Sequence, residues 1–162
     1  MTWTTFTTEA PRIAQIFQRR HRATRNLCLL ATLRADGSPR ISPMEPRVFE
    51  GDLWLVGMPH TAKFRDLERD HRFALHTATI DADVTDGDAK LWGHVEHVDD
   101  HDLQQRFAQR LYDDIGLDVR SQHFDQFLRA HIHGAAAVTL IDGHLDITTW
   151  RTNELERVTR KH

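Results

Sequence analysis

The chain has one cysteine, one tyrosine and three lysines among its 21 basic side chains, and no apolar run near the ~18–20 residues needed to cross a membrane. Cys28 can form no intramolecular disulfide, and no close cation favours its thiolate, so it reads as a buried thiol in a reducing cytoplasm. Residues 1–8 lack the cation and apolar core of a signal peptide. A formal charge of −3 over 162 residues gives no basis for general nucleic-acid affinity. Also missing are a Ser-His-Asp set, a cysteine nucleophile motif, a carboxylate pair at a recognisable spacing, any internal repeat and any low-complexity segment. What remains is a chain long enough for one domain with a sizeable core.

The organised stretch is residues 27–78. Leu27 to Leu33 is a continuous apolar run ending at Ala35-Asp36-Gly37, a strong hairpin signal between β-prone runs. The run from Arg40 to Phe49 returns, Glu50-Gly51-Asp52 turns again, and Leu53-Trp54-Leu55-Val56 follows, so a three-strand meander is predicted. Pro39, Pro43 and Pro46 lack ladder donors, which makes the middle strand bulged or an edge that a second subunit would cover. A short helix follows, with Thr61 as N-cap, Phe64 and Leu67 on one face, and Arg65, Asp66, Glu68 and Arg69 on the other. Phe73 to Ala78 reads as a fourth strand.

That helix opening carries the first chemical signal. Lys63 lies in the first turn, where the macrodipole disfavours a cation by about 0.3–1 kcal/mol, and an anion there would turn the cost into a gain. A plain surface lysine is the alternative, but lysine is not this chain's usual surface cation. Strand alternation puts Arg40, Ser42 and Met44 on one face, towards the same anion.

Elsewhere, residues 9–22 read as a first helix burying Ile13, Ile16 and Phe17, with the Arg19–Arg22 run solvated at its negative end. Residues 79–88 form a polar acidic loop. Counted from Asp81 as a calcium loop, it has Asp86 where glycine belongs and Trp92 where glutamate belongs, so no calcium site is assigned. Ala89 to Val98 alternates as a half-buried strand. Over 100–130, Leu103, Phe107 and Leu111 mark one amphipathic helix, and Phe124, Phe127 and Leu128 a second after Gly116. His131 and His133 are two apart on one strand face, a spacing that suits a metal or haem, but no third ligand is evident and none is assigned. Asp142-Gly143 closes a last hairpin between Ala135–Ile141 and His144–Trp150.

LATLRADGSPRIS at 30–42, GDLWLVGMP at 51–59, the T-x-K-x-R-x-L opening at Thr61 and the Asp70–Phe73 step resemble the flavin-binding split-barrel proteins related to pyridoxamine 5'-phosphate oxidase. The resemblance implies a mostly β fold with peripheral helices, a split β-barrel spanning 1–162 as one domain. It implies that Arg40, Thr61 and Lys63 bind the phosphate of FMN, with Ser42 on the same strand face, and that backbone at Val56, Gly57 and Met58 lies along the flavin ring. Lys90 falls where polar flavin contacts occur, and a solvated loop-end lysine is the alternative. In the family a homodimer shares the site, which makes Trp150 and Arg151 candidates from the partner; for Trp150 the alternative is a packed hairpin side chain.

The implied activity is FMN-dependent oxidoreduction of a small-molecule redox substrate, with no catalytic residue readable. The family's C-terminal Arg-x-His segment is absent from TTWRTNELERVTRKH, so vitamin B6 synthesis is not expected. A deazaflavin coenzyme in place of FMN, or a flavin or haem carrier without turnover, are the competing readings.

Overall fold

The Asp36-Gly37 pair turns the chain as its composition requires. In the computed structural model, which describes residues 1–79 and 84–161, the Ser38 amide donates to Asp36 Oδ1 at 2.9 Å and Gly37 takes a φ of +81°. The turn pairs β1 (Cys28–Leu33) with β2 (Pro39–Met44), setting Leu30 opposite Ser42 and Thr32 opposite Arg40.

The single return strand expected over residues 40–49 is two strands. β2 stops at Met44, Glu45-Pro46 intervenes, and β3 (Arg47–Phe49) pairs with β4 (Asp52–Val56). The predicted meander is therefore replaced by a long-range sheet. With α3 (Ala62–Arg69) leading into β5 (Arg72–Thr77), then β6 (Asp88–His97) and β7 (Phe127–Ile141), the strand order is β2-β1-β5-β6-β7-β4-β3. β2 and β3 stand at opposite ends of this order yet are joined by two residues, so the sheet curls until its ends approach. Pro43 and Pro46 have no N–H to donate, and no ladder closes the gap.

β7 is 15 residues long and is where the barrel divides. Phe127–Ala130 pairs with β4, Gly134–Ile141 pairs with β8 (His144–Arg151), and β6 runs along the other edge. β9 (Arg157–Lys161) adds to β8, a strand the sequence pattern did not suggest. The architecture is the expected split barrel, mostly β with peripheral helices.

Two helices, α1 (Trp3–Glu9) and α2 (Pro11–Ala23), replace the one expected over 9–22. Ala10 leaves helical geometry at φ −127°, and Pro11 restarts the helix at a position where its missing N–H costs nothing. Trp3 packs on Phe6 and Phe17, and Phe6 on Trp150, all with ring centroids 5.4 Å apart. This aromatic cluster joins Leu30, Leu53, Leu55, Leu75, Leu91 and Ile132 in the main core. Each such buried side chain contributes about 1.5–3 kcal/mol. The Arg19–Arg22 run is solvated only at its two ends: Arg19 and Arg22 are exposed, whereas Arg20 and His21 are 1% and 7% exposed. Arg20 donates to the Ala78 carbonyl and His21 Nε2 to the Pro46 carbonyl, both at 2.9 Å, so α2 ties down two crossings of the chain.

Only one helix fills the 100–130 excursion. α4 (His101–Ile115) is capped by Asp100 and ended by Gly116 at φ +71°. The second helix expected around Phe124–Leu128 does not form, because Phe127 already pairs with Val56 as the first residue of β7. The aromatics there are buried as expected, in a second cluster of Trp54, Leu103, Phe107, Leu111 and Phe127. Residues 80–83, within the polar loop read over 79–88 and including the Asp81 from which the calcium pattern was counted, lie outside the described residues. Among the described residues no helix is long and apolar enough to cross a membrane.

Candidate functional site

The site begins with a close approach between β4 and α3. A Cβ on Gly57 would stand 2.7 Å from the Phe64 ring, so only glycine lets the chain leave β4 and drop Phe64 into the core. This sets the path of residues 57–61 and brings the opening of α3 beside β2. Thr61 occupies the N-cap position, but its hydroxyl makes no cap hydrogen bond and is a buried oxygen without a partner among the described residues. Lys63 donates from Nζ to the Pro43 carbonyl at 3.0 Å, bridging the helix opening to β2.

Asp66 organises the other side. The sequence pattern put it on the solvent face of α3, whereas its side chain is 5% exposed. It accepts from Arg40 Nε at 2.6 Å, from the Thr32 hydroxyl at 2.8 Å and from Arg69 at 3.3 Å. Burial opposes its charge, but the hydrogen bonds from Arg40, Thr32 and Arg69 outweigh that and hold its carboxyl below the usual carboxylate range. Because Asp66 takes Nε, the two terminal nitrogens of Arg40 are left without a protein partner among the described residues. A cleft of about 400 Å³ lies here, lined by Arg34, Arg40, Arg65, Arg69, Ala62, Asp66, Ala35 and Asp36. Four guanidinium groups against two carboxylates along one side of α3 suit an anion.

Arg40 shares this cleft with Ala62 of the α3 opening; Thr61 and Lys63 do not line it, Lys63 reaching β2 at Pro43 instead, and Ser42 is half-buried on the Arg40 side of β2. Val56, Gly57 and Met58 lead away from it and line a second cleft, of about 280 Å³, whose far wall is Phe107, Leu111 and the 117–125 segment. Met58 is 77% exposed on its rim. Lys90 lies elsewhere, in a groove of about 440 Å³ on the outer sheet face with Leu29, Ile41 and Trp92; Ile41 points away from the Arg40 face of β2. Trp150 is buried in the main core against Phe6, and Arg151 is exposed at the end of β8. Within one chain, neither lines the Arg40 cleft.

Sequence reasoning missed Asp66, Arg34 and the site role of Arg65 and Arg69. The hydrophobic pattern of α3 counts Asp66 as polar and so outward. The available signal was Arg40 itself, an arginine facing inward from β2 that needs a carboxylate opposite it.

A family model described as pyridoxamine 5'-phosphate oxidase matches residues 15–139. No curated protein sequence matches the chain. Among solved structures, the chain resembles a pyridoxamine 5'-phosphate oxidase-related, FMN-binding protein from Nostoc punctiforme at 12% identity and TM-score 0.65, over 94% of each chain. It resembles a haem-binding protein from Mycobacterium smegmatis at 21% identity and TM-score 0.61, covering 83% of this chain and 57% of that one. HutZ, a haem storage protein from Vibrio cholerae, aligns at 17% identity and TM-score 0.56, over 76% of this chain and 88% of its own. At these identities the three structures speak for the fold.

Proposed function

The chain belongs to the pyridoxamine 5'-phosphate oxidase family, and from that premise we propose that it is an FMN-dependent oxidoreductase acting on a small conjugated or quinone-like acceptor. The observation that carries this reading is the α3 opening: a buried Thr61 hydroxyl with no partner among the described residues, next in the chain to Ala62, which lines the same cleft as an Arg40 whose Nε is held by Asp66. A phosphate monoester fits this donor set. Arg40 would hold it in a charge-assisted fork, Lys63 would add a cation and Thr61 a neutral donor. The bound flavin supplies hydride or electron transfer; the protein supplies grip, ring orientation and control of water. Backbone at Val56, Gly57 and Met58 would lie along the ring, and the apolar cleft against Phe107 and Leu111 would take a flat partner. No acid–base pair is assigned a catalytic role.

The active form is a homodimer in this reading. Support comes from β1, which is apolar on both faces, and from Leu29 and Ile41, 42% and 71% exposed on the outer sheet face. A partner across this face would bring Lys90 into an interface, and Trp150 and Arg151 of a second copy remain candidates to complete the flavin site. The buried Cys28 suits a cytoplasmic protein. Titration with FMN, a deazaflavin coenzyme and haem in parallel, with light scattering for mass, tests the reading. FMN binding by a dimer, followed by reoxidation by acceptors faster than free FMN, supports it. Stoichiometric haem binding without flavin affinity would replace it with the carrier reading suggested by the haem-binding fold relatives, and preference for deazaflavin would change the cofactor but not the grip.

A further inference from the structure

His131 and His133 project from β7 with no third ligand evident in the sequence, and the fold supplies one. His94 on β6 stands directly opposite His131 in the ladder. A register shift between Trp92 and Gly93 leaves His133 as the extra residue on β7. The shift is built into the backbone. A Cβ on Gly93 would stand 1.8 Å from the His131 carbonyl oxygen, and the His133 carbonyl is held by the Thr152 amide at 3.0 Å. As a result three imidazoles share one outer patch. His94 Nδ1 and His133 Nε2 are 2.8 Å apart, and the His94 and His131 rings stack at 4.8 Å.

We propose that His94, His131 and His133 form a binding site for a borderline divalent transition-metal ion such as Zn²⁺. Imidazole nitrogen is the donor such ions prefer. Bonds of about 2.0–2.1 Å at a tetrahedral angle place two nitrogens about 3.3 Å apart, so the His94–His133 pair needs to part by only about half an ångström. The pair now shares one proton in an N–H···N hydrogen bond. On binding, the donor ring changes tautomer: the proton moves to its other nitrogen through water, and both facing nitrogens offer lone pairs to the ion. No net proton is released. His131 Nε2 lies 2.8 Å from Glu96 Oε2, the carboxylate–histidine arrangement that orients a metal ligand and leaves Nδ1 free. Among the described residues no three His, Cys, Asp or Glu side chains are already gathered to hold an ion. The ion therefore completes the geometry by a small parting of His94 and His133 and by a turn of the His131 ring out of its 16° stack with His94, and water fills the fourth position. The site uses no residue of the flavin grip and does not depend on the flavin reading.

The test is calorimetric titration of tag-free protein with ZnCl₂, with MgCl₂ as the hard-cation control, read beside histidine ring ¹⁵N shifts. The site predicts one micromolar or tighter zinc per chain, no magnesium heat, and ring shifts at His94, His131 and His133 alone among the 12 histidines. His94→Ala and His133→Ala should each weaken zinc at least tenfold, Glu96→Gln should weaken it about tenfold, and His101→Ala should leave it unchanged. Millimolar affinity, or affinity and ring shifts that persist in His94→Ala/His133→Ala, would overturn the proposal. The ring shifts in wild-type protein decide the matter even if that double variant fails to fold.

Discussion

Replacing Asp66 by alanine removes the acceptor that three donors share. Arg40 Nε and the Thr32 hydroxyl would lose their only close partner among the described residues, and Thr32 is 3% exposed, so water replaces little of what is lost there. A hydrogen bond to a charged group contributes about 1.5–3 kcal/mol, and an abandoned buried donor costs about 1–3 kcal/mol. Arg40 is 27% exposed and recovers part of its solvation, which discounts its share. The expected loss is about 3 kcal/mol, or roughly 6–12 °C in Tm for a chain of this size. Urea unfolding at pH 7 measures it, and Asp66→Asn gives the sharper comparison. Asp66 has a folded pKa below its unfolded value, so its charge stabilises the fold above the unfolded pKa and that stability is lost as pH falls through the folded pKa. The gap between wild type and Asp66→Asn should hold from pH 7 to pH 5 and shrink below pH 4, where protonated aspartic acid approaches asparagine. A difference under about 0.5 kcal/mol at pH 7, or one that does not shrink in acid, would refute this account of Asp66.

Gly57→Ala should destabilise the protein by about 1–3 kcal/mol, measured by the same unfolding curves, because its Cβ meets the Phe64 ring. His21 is buried and its pKa is lowered to about 4, chiefly by desolvation, so the folded state resists a proton that the unfolded state accepts. Its stabilising effect is complete above pH 6.5 and falls away towards pH 4; the urea midpoint of wild type should drop across that window more than that of His21→Gln. Arg40→Ala and Lys63→Ala should each weaken FMN about 10- to 150-fold, the equivalent of a charge-assisted hydrogen bond of about 1.5–3 kcal/mol, with Thr61→Val costing less, as read by flavin fluorescence.

Short-range elements were more legible in the sequence than the sheet was. The Asp36-Gly37 turn, the α3 opening and the face shared by Arg40 and Ser42 depend on residues within a few positions of one another, and the structure has them where the pattern put them. The break between β2 and β3 was not legible, because β3 follows its local turn onto β4 and β4 is drawn away from β2 by its ladder with β7, far later in the chain. Phe124 and Phe127 have helical spacing and pack in one cluster, yet pairing of Phe127 with Val56 decides for strand. Asp66 shows the limit most plainly: a carboxylate on a helix of charged residues reads as solvated until the arginine it faces is placed by a strand more than twenty positions earlier. His94 was hidden for the same reason, since only the β6–β7 register sets it against His131.

The proposed function requires a phosphate held at the opening of α3 by Arg40, Thr61 and Lys63. Parallel fluorescence titration of the apoprotein with FMN and with riboflavin, which differs by that phosphate alone, tests it most directly. FMN should bind at least 100-fold more tightly than riboflavin, and Arg40→Ala/Lys63→Ala should erase most of that preference while leaving riboflavin affinity unchanged. Equal affinity for the two flavins in the wild-type protein would contradict it.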